Sequence, residues 1–207
     1  MTRYGMAIDT TRCIGCNNCA MACKAENNLP NNVWWNKAVT VGGEGEGTPA
    51  GKYPDSLSLS YYTLACQHCD APACVAVCPT GATTKREDGI VVVDYDVCIG
   101  EKACIEACPF KGVRVFIDTP PEYYLEFAVG DPDVQPHQEM VTEKCTFCVH
   151  RIDRGERPAC TDLCRSDARF FGDLDDPEAL ITKLIATREY DHIISDSGTG
   201  PNVYLLK

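Results

Sequence analysis

The segment Cys13-Ile-Gly-Cys16-Asn-Asn-Cys19-Ala-Met-Ala-Cys23 decides the fold of this 207-residue chain. Its cysteines follow the spacing Cys-x-x-Cys-x-x-Cys-x-x-x-Cys, the run that holds cubane iron-sulfur clusters in proteins. Three thiolates of such a run wrap around one cluster, and the fourth lies on a helix that leads to a second cluster. The spacing therefore predicts paired clusters rather than a single metal ion.

Three more cysteine groups follow along the chain, and one of them is incomplete. The third group repeats the opening of the first, as Cys98-Ile-Gly-Glu101, but Glu101 stands where the spacing calls for a cysteine. The cysteines of these groups are Cys66, Cys69, Cys74, Cys78; Cys98, Cys104, Cys108; and Cys145, Cys148, Cys160, Cys164. Repetition of a cluster-binding unit predicts two modules that hold two clusters each.

Two other uses of cysteine fit the sequence less well. A disulfide framework predicts an even number of cysteines spread among loops, whereas the fifteen cysteines here are odd in number and tightly grouped. A zinc site predicts two Cys-x-x-Cys pairs joined by a longer loop, and only the fourth group, from Cys145 to Cys164, imitates that pattern. Iron-sulfur clusters are the preferred interpretation, and zinc is the alternative.

The composition indicates a globular protein with an acidic surface. Hydrophobic residues make up 44% and charged residues 24% of the chain, and the formal net charge is -11. Such a charge repels nucleic acids and anionic membrane surfaces, so neither is an expected partner. No apolar run approaches the ~18 residues of a membrane span, and no apolar signal segment precedes the first cysteine group. We therefore expect neither a direct membrane span nor an export signal.

The segments around the cysteine groups predict short strands and one helix. Asp88-Gly89 ahead of residues 90–93 predicts a hairpin, and residues 168–173 predict a strand. Asp175-Asp176-Pro177 predicts the start of a helix that runs to about Ile185. An apolar stripe on this helix predicts docking onto the same chain; it consists of Leu180, Ile181, Leu184 and Ile185.

Two cysteine-free insertions, residues 29–61 and 116–142, separate the cysteine groups. Residues 42–51 are rich in glycine and predict a flexible middle of the first insertion. Trp34 and Trp35 are expected to pack onto the parent domain, and the alternative is a contact surface for a second subunit.

Several polar residues near the cysteines have a simple expected role. His68 is expected to pack or to form a hydrogen bond beside a cluster, since its neighbours already supply thiolates. Lys102 is expected at the surface, because an ammonium has no lone pair for iron. Arg151, Arg154 and Arg157 are expected to be solvated.

Four longer segments resemble the four-cluster iron-sulfur subunits of the dimethyl sulfoxide reductase family. The resemblance covers nearly the whole chain and implies two bacterial-ferredoxin-like modules. The segments are Cys66-Gln-His-Cys-Asp-Ala-Pro-Ala-Cys-Val-Ala-Val-Cys-Pro-Thr-Gly-Ala82, Lys85-Arg-Glu-Asp-Gly-Ile-Val-Val-Val-Asp94, Phe171-Gly-Asp-Leu-Asp-Asp-Pro177 and Gly200-Pro-Asn-Val-Tyr-Leu205.

The resemblance also implies how the ligands combine, because paired clusters of this type exchange their fourth cysteine. Group one pairs with group four, and group two with group three. Four ligand sets follow, named sites 1 to 4: Cys13, Cys16, Cys19, Cys164 (site 1); Cys145, Cys148, Cys160, Cys23 (site 2); Cys66, Cys69, Cys74, Cys108 (site 3); Cys98, Glu101, Cys104, Cys78 (site 4).

Site 4 departs from the family pattern at Glu101. A carboxylate there could bind the fourth iron through oxygen, that iron could be lost to leave a 3Fe-4S cluster, or the cluster could fail to assemble. We prefer a 4Fe-4S cluster with Glu101 as oxygen ligand. Three all-cysteine 4Fe-4S clusters are expected at sites 1 to 3.

The expected fold class is α+β, with two two-cluster modules, long insertions and a C-terminal helical arm. The expected domains are residues 1–60 with 140–173 (groups one and four, insertion 29–61); 62–118 (groups two and three); the insertion 116–142; and the arm 174–207.

The resemblance implies electron transfer to or from a large catalytic subunit that carries a molybdenum or tungsten pyranopterin. The chain itself is then not an enzyme, and its own sequence gives no indication of the substrate. The alternative function is a free-standing polyferredoxin, and the non-redox alternative is a zinc-stabilised scaffold. A cytoplasmic location is expected, or export with a signal-bearing partner; any quinone contact would require a separate membrane anchor subunit.

Overall fold

The computed structural model describes residues 2–42 and 47–207, and it has the α+β character that the sequence predicts. The helices are short, and four of those in the described residues carry cysteines; the remaining cysteines lie in loops that small sheets hold together. In chain order the elements are β1 Tyr4–Asp9, α1 Asn18–Glu26, β2 Lys37–Thr40, β3 Tyr61–Leu64, α2 Ala73–Ala76, β4 Thr83–Lys85, β5 Val91–Val93, α3 Ala103–Glu106, β6 Arg114–Ile117, β7 Val141–Lys144, α4 Val149–Ile152, α5 Ala159–Asp162, β8 Arg169–Asp173, α6 Leu180–Thr187, β9 Tyr190–Asp191 and β10 Val203–Leu206.

The largest sheet has the order β8-β1-β10-β9, and it joins the two ends of the chain. Strand β1 is buried over five of its six residues, so it forms the centre of this sheet. It pairs antiparallel with β8, where Met6 faces Phe171, and parallel with β10, where Met6 faces Val203. The sheet thereby places the first and fourth cysteine groups, which lie far apart in sequence, side by side.

Two hairpins support the second and third cysteine groups. Strands β4 and β5 pair antiparallel around Asp88-Gly89, and Gly89 has the positive φ of 85° that this turn requires. The predicted hairpin is confirmed. Strands β6 and β7 pair with Arg114 opposite Lys144, so the second insertion loops out between two neighbouring strands.

Most of the helices that carry cysteines are a single turn long. Three of them span four residues, and each contains one cysteine as its second residue, namely Cys74, Cys104 and Cys160. Proline follows Cys78 and Cys108, and the residue before a proline disfavours helical geometry. At Cys78 and Cys108 the chain therefore leaves the helical region, and it continues into strands β4 and β6.

The core is shared between the two predicted modules. One cluster of buried side chains includes Met6 and Ile8 of β1, Ile90 beside β5, and Phe147 of the fourth cysteine group. Cysteines form part of this core; the buried ones are Cys19, Cys23, Cys66, Cys145 and Cys160. The metal-binding groups thus lie where a larger protein would place aliphatic side chains.

The first insertion is partly a sheet. Strands β2 and β3 pair antiparallel, with Lys37 opposite Leu64. Trp35 is buried and packs into the shared core, as predicted, whereas Trp34 is 38% exposed. Of the predicted flexible stretch, residues 43–46 lie outside the described residues.

The C-terminal segment corrects two expectations. The helix begins at Leu180 rather than at residues 175–177, because the Asp176 carboxylate accepts a hydrogen bond from the Glu178 N–H and Ala179 is extended. The predicted helical arm is also only partly helical, since the chain continues through β9 into β10. Of the predicted docking stripe, Ile181 is buried against Ala7 and Leu206, as expected. Leu180 does not take part, because it is 60% exposed.

Candidate metal centres

Each cysteine loop turns in the same unusual way at its third residue. Gly15, His68, Gly100 and Phe147 all have positive φ angles, of 66°, 43°, 71° and 55°. These residues occupy the same place in Cys-x-x-Cys or, for Gly100, in Cys-x-x-Glu. A left-handed turn at this position curves the backbone around the space between the cysteines. The turn costs more conformational free energy for a residue with a side chain than for glycine. The four loops are therefore one structural motif, and the Glu101 loop belongs to it.

The residues of site 1 line one cavity. Its wall contains Cys13, Cys16 and Cys19 from the first loop, together with Cys164 from the distant fourth group. The β1–β8 pairing causes this approach, since Cys13 follows β1 and Cys164 precedes β8.

The residues of site 2 line a second cavity. Cys145, Cys148 and Cys160 meet Cys23, which helix α1 carries away from its own loop. Cys66 of site 3 lies in the wall of the same cavity. The structure thus brings together the cysteines that the resemblance groups in sites 1 and 2, and it places Cys66 of site 3 next to site 2. Their role as ligands stays a prediction.

Site 3 is assembled from two groups in the same manner. The thiols of Cys69 and Cys108 each lie close enough to those of Cys66 and Cys74 to interact electrostatically with them. Site 4 lines a further cavity with Cys78, Cys98 and Cys104, and Glu101 is in its wall. Glu101 is solvent-exposed, so this cavity lies at the surface of the molecule.

Backbone amides and side-chain donors already point at several sulfurs. The N–H of Thr83 donates to Cys78 Sγ at 3.4 Å, and the N–H of Ala168 donates to Cys164 Sγ at 3.3 Å. Cys78 and Cys164 are two of the four cysteines that the predicted ligand sets exchange between groups, and each accepts from a backbone N–H four or five residues further along the chain. Donors to sulfur stabilise a bound cluster in its reduced, more negative state.

Asn27 also donates to sulfur, a role that the cysteine spacing alone did not predict. Its Nδ2 lies 3.6 Å from Cys23 Sγ and 4.0 Å from Cys148 Sγ, two residues of site 2. The signal was present in the sequence, because Asn27 lies four residues after Cys23 and so on the same face of a helix.

Burial raises the pKa of several thiols. Burial raises the pKa of Cys145 to about 12 and that of Cys69 to about 11. Burial raises the pKa of Cys23 and Cys148 as well, and neighbouring thiols contribute in the same direction. At Cys78, burial favours the protonated thiol, but hydrogen bonds from Thr83 and Thr80 outweigh it and lower the pKa. Metal binding must therefore displace protons from the thiols whose pKa is raised.

His68 has the packing role that was predicted. Its Nδ1 accepts a hydrogen bond of 3.0 Å from the Val91 N–H, and its ring stacks on Phe147 with centroids 3.7 Å apart. Burial lowers the pKa of His68, and the positive charges of Lys144 and Arg114 lower it further. The neutral imidazole thus fills the space between the second and fourth cysteine loops. Lys102, as expected, lies at the surface, with its ammonium 3.8 Å from the centre of the Phe116 ring.

Of the three arginines that were expected to be solvated, Arg154 and Arg157 are exposed, as predicted, whereas Arg151 is largely covered. Arg151 forms ion pairs with Glu26 at 3.2 Å and Asp162 at 2.8 Å, and its side chain is 20% exposed. Arg154 pairs with Asp131 and Asp133 of the second insertion, and Arg157 pairs with Asp162. Most of these partners are distant in sequence, which is why spacing alone did not indicate them.

Comparison with known proteins agrees with this geometry. A family model described as a 4Fe-4S dicluster domain matches residues 57–119 and 133–174, and one described as a 4Fe-4S binding domain matches residues 6–26. The chain is therefore an iron-sulfur protein of the ferredoxin type with dicluster architecture.

Similarity over the full length defines the family. The chain is 45% identical to a Halobacterium salinarum protein named as a dimethyl sulfoxide reductase iron-sulfur subunit, covering 100% of this chain and 79% of that protein. It is 35% identical to the arsenate respiratory reductase iron-sulfur subunit of a Shewanella species, covering 99% and 96%. It is 35% identical to one of the polysulfide reductase polypeptides of Wolinella succinogenes, covering 99% and 94%. The chain belongs to this family of iron-sulfur reductase subunits, and its role is electron transfer.

The structure gives one further fact about membranes. Within residues 2–42 and 47–207, none of the helices combines the length and the apolar character needed to cross a lipid bilayer.

Proposed function

We propose that the chain conducts electrons through four iron-sulfur clusters, held at sites 1 to 4 in that order. The electrons pass to or from a molybdenum or tungsten pyranopterin in a large catalytic subunit, which performs the substrate chemistry. The proposed ligands are the four residues of each site as defined above. The clusters supply one-electron chemistry, and this chain's residues position them and exclude water.

The exchanged cysteines carry this proposal. Cys164 lies in the wall of the site 1 cavity and Cys23 in that of site 2, each beside the three cysteines of another group. Cys66 of site 3 also lines the site 2 cavity. Such exchange is the arrangement of two-cluster ferredoxins. It also sets neighbouring clusters close together, because each exchanged cysteine lies on the short segment between them.

The order of the sites follows from their contacts. Cys19 of site 1 and Cys160 of site 2 interact electrostatically, and Cys145 of site 2 interacts with Cys66 of site 3. Cys74 of site 3 and Cys104 of site 4 pack in one buried cluster with Val91. These neighbouring cysteines support a series that runs from site 1 to site 4.

Exposure at the two ends of the series supports a relay. Ile14 in the site 1 loop is 63% exposed, and Ile99, its equivalent in the site 4 loop, is 62% exposed. Between them, Cys145, Cys148 and Cys160 of site 2 are buried. Electrons can thus enter and leave at either end, while the middle of the series is shielded from water.

A fixed partner is favoured over a freely diffusing carrier by the insertions. Tyr124 is 83% exposed and Phe127 is 67% exposed, both in the second insertion, and Tyr53 of the first insertion is 85% exposed. Exposed aromatic side chains are typical of protein interfaces. Electron exchange with a membrane quinone pool would require a separate anchor subunit.

Site 4 is proposed to hold a 4Fe-4S cluster with Glu101 as the oxygen ligand. The Glu101 loop has the same left-handed turn as the three Cys-x-x-Cys loops, and the residue lies in the wall of the cavity. The alternative is a 3Fe-4S cluster that leaves Glu101 in solvent.

The experiment is anaerobic purification of the tagged chain from its native host. We expect a much larger subunit to copurify, molybdenum or tungsten in the complex, and iron and sulfide for four clusters. Redox titration followed by EPR should resolve four one-electron transitions. A brown, stable monomer without a partner would favour the free polyferredoxin, and a colourless zinc protein would contradict both.

A further inference from the structure

Three cationic side chains are buried in the described part of the chain, and each begins or ends a strand beside the cysteine sites. Arg114 is 6% exposed and Arg169 is 7% exposed, and each is the first residue of its strand. Lys144 is 1% exposed and is the last residue of β7. A buried charge is costly unless a charge of opposite sign lies close by, so each must have a compensating partner.

Carboxylates do not provide that compensation within residues 2–42 and 47–207. The ion pairs among the described residues involve arginines and lysines nearer the surface, such as Arg154 with Asp131, and they include none of the three buried cations. The one buried glutamate nearby, Glu143, pairs with His137 at 2.6 Å. The compensating charge must come from another source.

Lys144 lies between sites 2 and 3. Its Nζ donates to the carbonyl of Cys145 at 2.9 Å and to the carbonyl of Val91. It also lies close enough to the sulfurs of Cys145 in site 2, and of Cys66 and Cys74 in site 3, to interact with them electrostatically. Two carbonyl oxygens are neutral acceptors, so they hold the ammonium in place without neutralising it.

Arg169 occupies the equivalent place between sites 1 and 2. Its Nη2 lies 3.5 Å from Cys160 Sγ of site 2, and its charge also interacts with Cys19 and Cys164 of site 1. Nη1 donates to the Thr63 hydroxyl at 2.5 Å, while Nε is buried without a hydrogen-bond acceptor. The guanidinium is thus held by neutral groups and directed at two cysteine sites.

Arg114 occupies the remaining step, between sites 3 and 4. Its charge interacts with Cys74 and Cys66 of site 3 and with Cys104 of site 4. Its Nη1 and Nη2 are buried, and within the described part of the chain no oxygen or nitrogen acceptor reaches them. Its side chain instead forms a hydrogen bond with Cys74 of site 3. A buried cation whose donors face cysteine sulfur between two sites points to an anionic group there.

We propose that Arg169, Lys144 and Arg114 are the counter-charges of the relay, one at each of its three steps, and that each raises the reduction potential of the two clusters beside it. The inference rests on the proposed clusters at sites 1 to 4. These residues bind no iron, so they are positioning residues that act through charge.

The physical basis is the charge of the clusters themselves. A cubane held by four thiolates is an anion that becomes more negative on reduction, so a nearby cation favours the reduced state. The attraction is strong at these positions because the surroundings are buried and dielectric screening is weak. A shared cation also lessens the repulsion between neighbouring clusters when both are reduced. Salt should change the effect little, since mobile ions cannot reach these side chains.

Lys144→Gln in the intact complex tests the proposal, because glutamine keeps a hydrogen-bond donor and loses the charge. Lys183→Gln is the control, as Lys183 lies on the surface helix α6 with 53% of its side chain exposed. EPR-monitored redox titration should show two of the four midpoint potentials falling, namely those of sites 2 and 3. We expect on the order of a tenfold change in the ratio of reduced to oxidised cluster at fixed potential, which is about 59 mV for one electron. Lys183→Gln should leave all four midpoint potentials unchanged.

Arg114→Gln provides a second test one step along the series. It should lower the potentials of sites 3 and 4 and leave site 1 unchanged, so site 3 alone responds to both variants. Lys144→Arg retains the positive charge, so the midpoint potentials of all four clusters in this variant should remain near those of the wild type.

Each outcome separates this inference from the proposed function. If wild-type protein contains the clusters and their potentials are unchanged in both glutamine variants, the counter-charge role is wrong while the relay stands. Equal shifts at all four sites would also overturn it, because the effect must be confined to adjacent clusters. Loss of iron in both glutamine variants and in Lys144→Arg alike would assign these residues a purely structural role. Wild-type protein without clusters would refute the proposed function itself.

Discussion

Gly15 and Gly100 have nearly the same backbone conformation, with φ angles of 66° and 71°, although one precedes a cysteine and the other precedes a glutamate. An added Cβ would meet the Tyr61 ring at 2.5 Å from Gly15 and the Met140 carbonyl oxygen at 2.6 Å from Gly100. Both loops are therefore fixed by close neighbours as well as by their turns. Glu101 thus offers a carboxylate oxygen where the first loop offers the sulfur of Cys16, while the backbone turn of the two loops is the same.

The first prediction concerns that donor atom. Glu101→Cys should give site 4 a fourth thiolate, and hence an ordinary 4Fe-4S cluster with a changed reduction potential, because sulfur replaces a hard oxygen donor. EPR of the dithionite-reduced and oxidised complex checks this. Glu101→Gln is the control, since it keeps the size of the side chain and removes the anionic oxygen. An EPR spectrum of Glu101→Cys identical to that of the wild type would contradict a metal-bound Glu101.

The second prediction tests the exchange of ligands. Cys23 lies in the same motif as Cys16, yet it lines the cavity of Cys145, Cys148 and Cys160. Cys23→Ser should therefore alter the EPR signal that Cys148→Ser alters, and it should leave the signal that depends on Cys16 in place. If Cys23→Ser instead reproduces the spectrum of Cys16→Ser, the proposed ligand sets of sites 1 and 2 are wrong.

The sequence predicts the sites better than it predicts what surrounds them. Cysteine spacing is a local property, because the residues that wrap a cluster lie within one loop, and so the groups of Cys13 and Cys98 could be recognised directly. The buried charge of Lys144 could not, since it depends on β7 lying between two cysteine groups that are distant in sequence. The pairing of β10 with β1 was missed for the same reason: parallel partners at opposite ends of the chain leave no local signal.

The third prediction concerns the first insertion. Trp35 Nε1 donates to Glu143 Oε2 at 3.2 Å, and both side chains are buried. Trp35→Phe should lower the free energy of unfolding by about 1–3 kcal/mol, because it removes a donor from a buried carboxylate. Chemical unfolding followed by circular dichroism measures this. Trp34→Phe is the matched control, since Trp34 is 38% exposed; equal effects of the two substitutions would show that the hydrogen bond to Glu143 does not stabilise the fold.

The fourth prediction concerns pH. Burial alone would raise the pKa of Asp9, but hydrogen bonds from Arg188 and Thr11 outweigh it and lower the pKa from 3.8 to about 2. A carboxyl group whose pKa is lower in the folded state stabilises the fold above the unfolded pKa, and this contribution is lost as the pH falls through the folded pKa. Asp9 should thus contribute about 2 kcal/mol at neutral pH, and the contribution should fade from about pH 4 towards pH 2.

Asp9→Asn measures that contribution. The variant should unfold at a lower denaturant concentration than the wild type at pH 7, and the difference should shrink as the pH approaches 3. Asp191→Asn is the control, because Asp191 forms its ion pair with Lys207 at the surface, with both side chains 53% exposed. A difference between Asp9→Asn and wild type that is independent of pH would show that the charge of Asp9 is not its source.

The last prediction concerns removal of the metal. Five cysteines of sites 1, 2 and 3 belong to the largest buried cluster of side chains, so loss of the clusters would leave cavities and unsupported loops within the core. Chelation of iron under anaerobic conditions should therefore cause cooperative loss of the α+β structure, visible together in the far-ultraviolet circular dichroism and in the visible absorbance of the clusters. Because the short helices around Cys74, Cys104 and Cys160 each span four residues, too few to be stable alone, they should be lost with the iron. A colourless protein that keeps its circular dichroism spectrum would show that packing of the sheets, rather than the clusters, holds these loops in place.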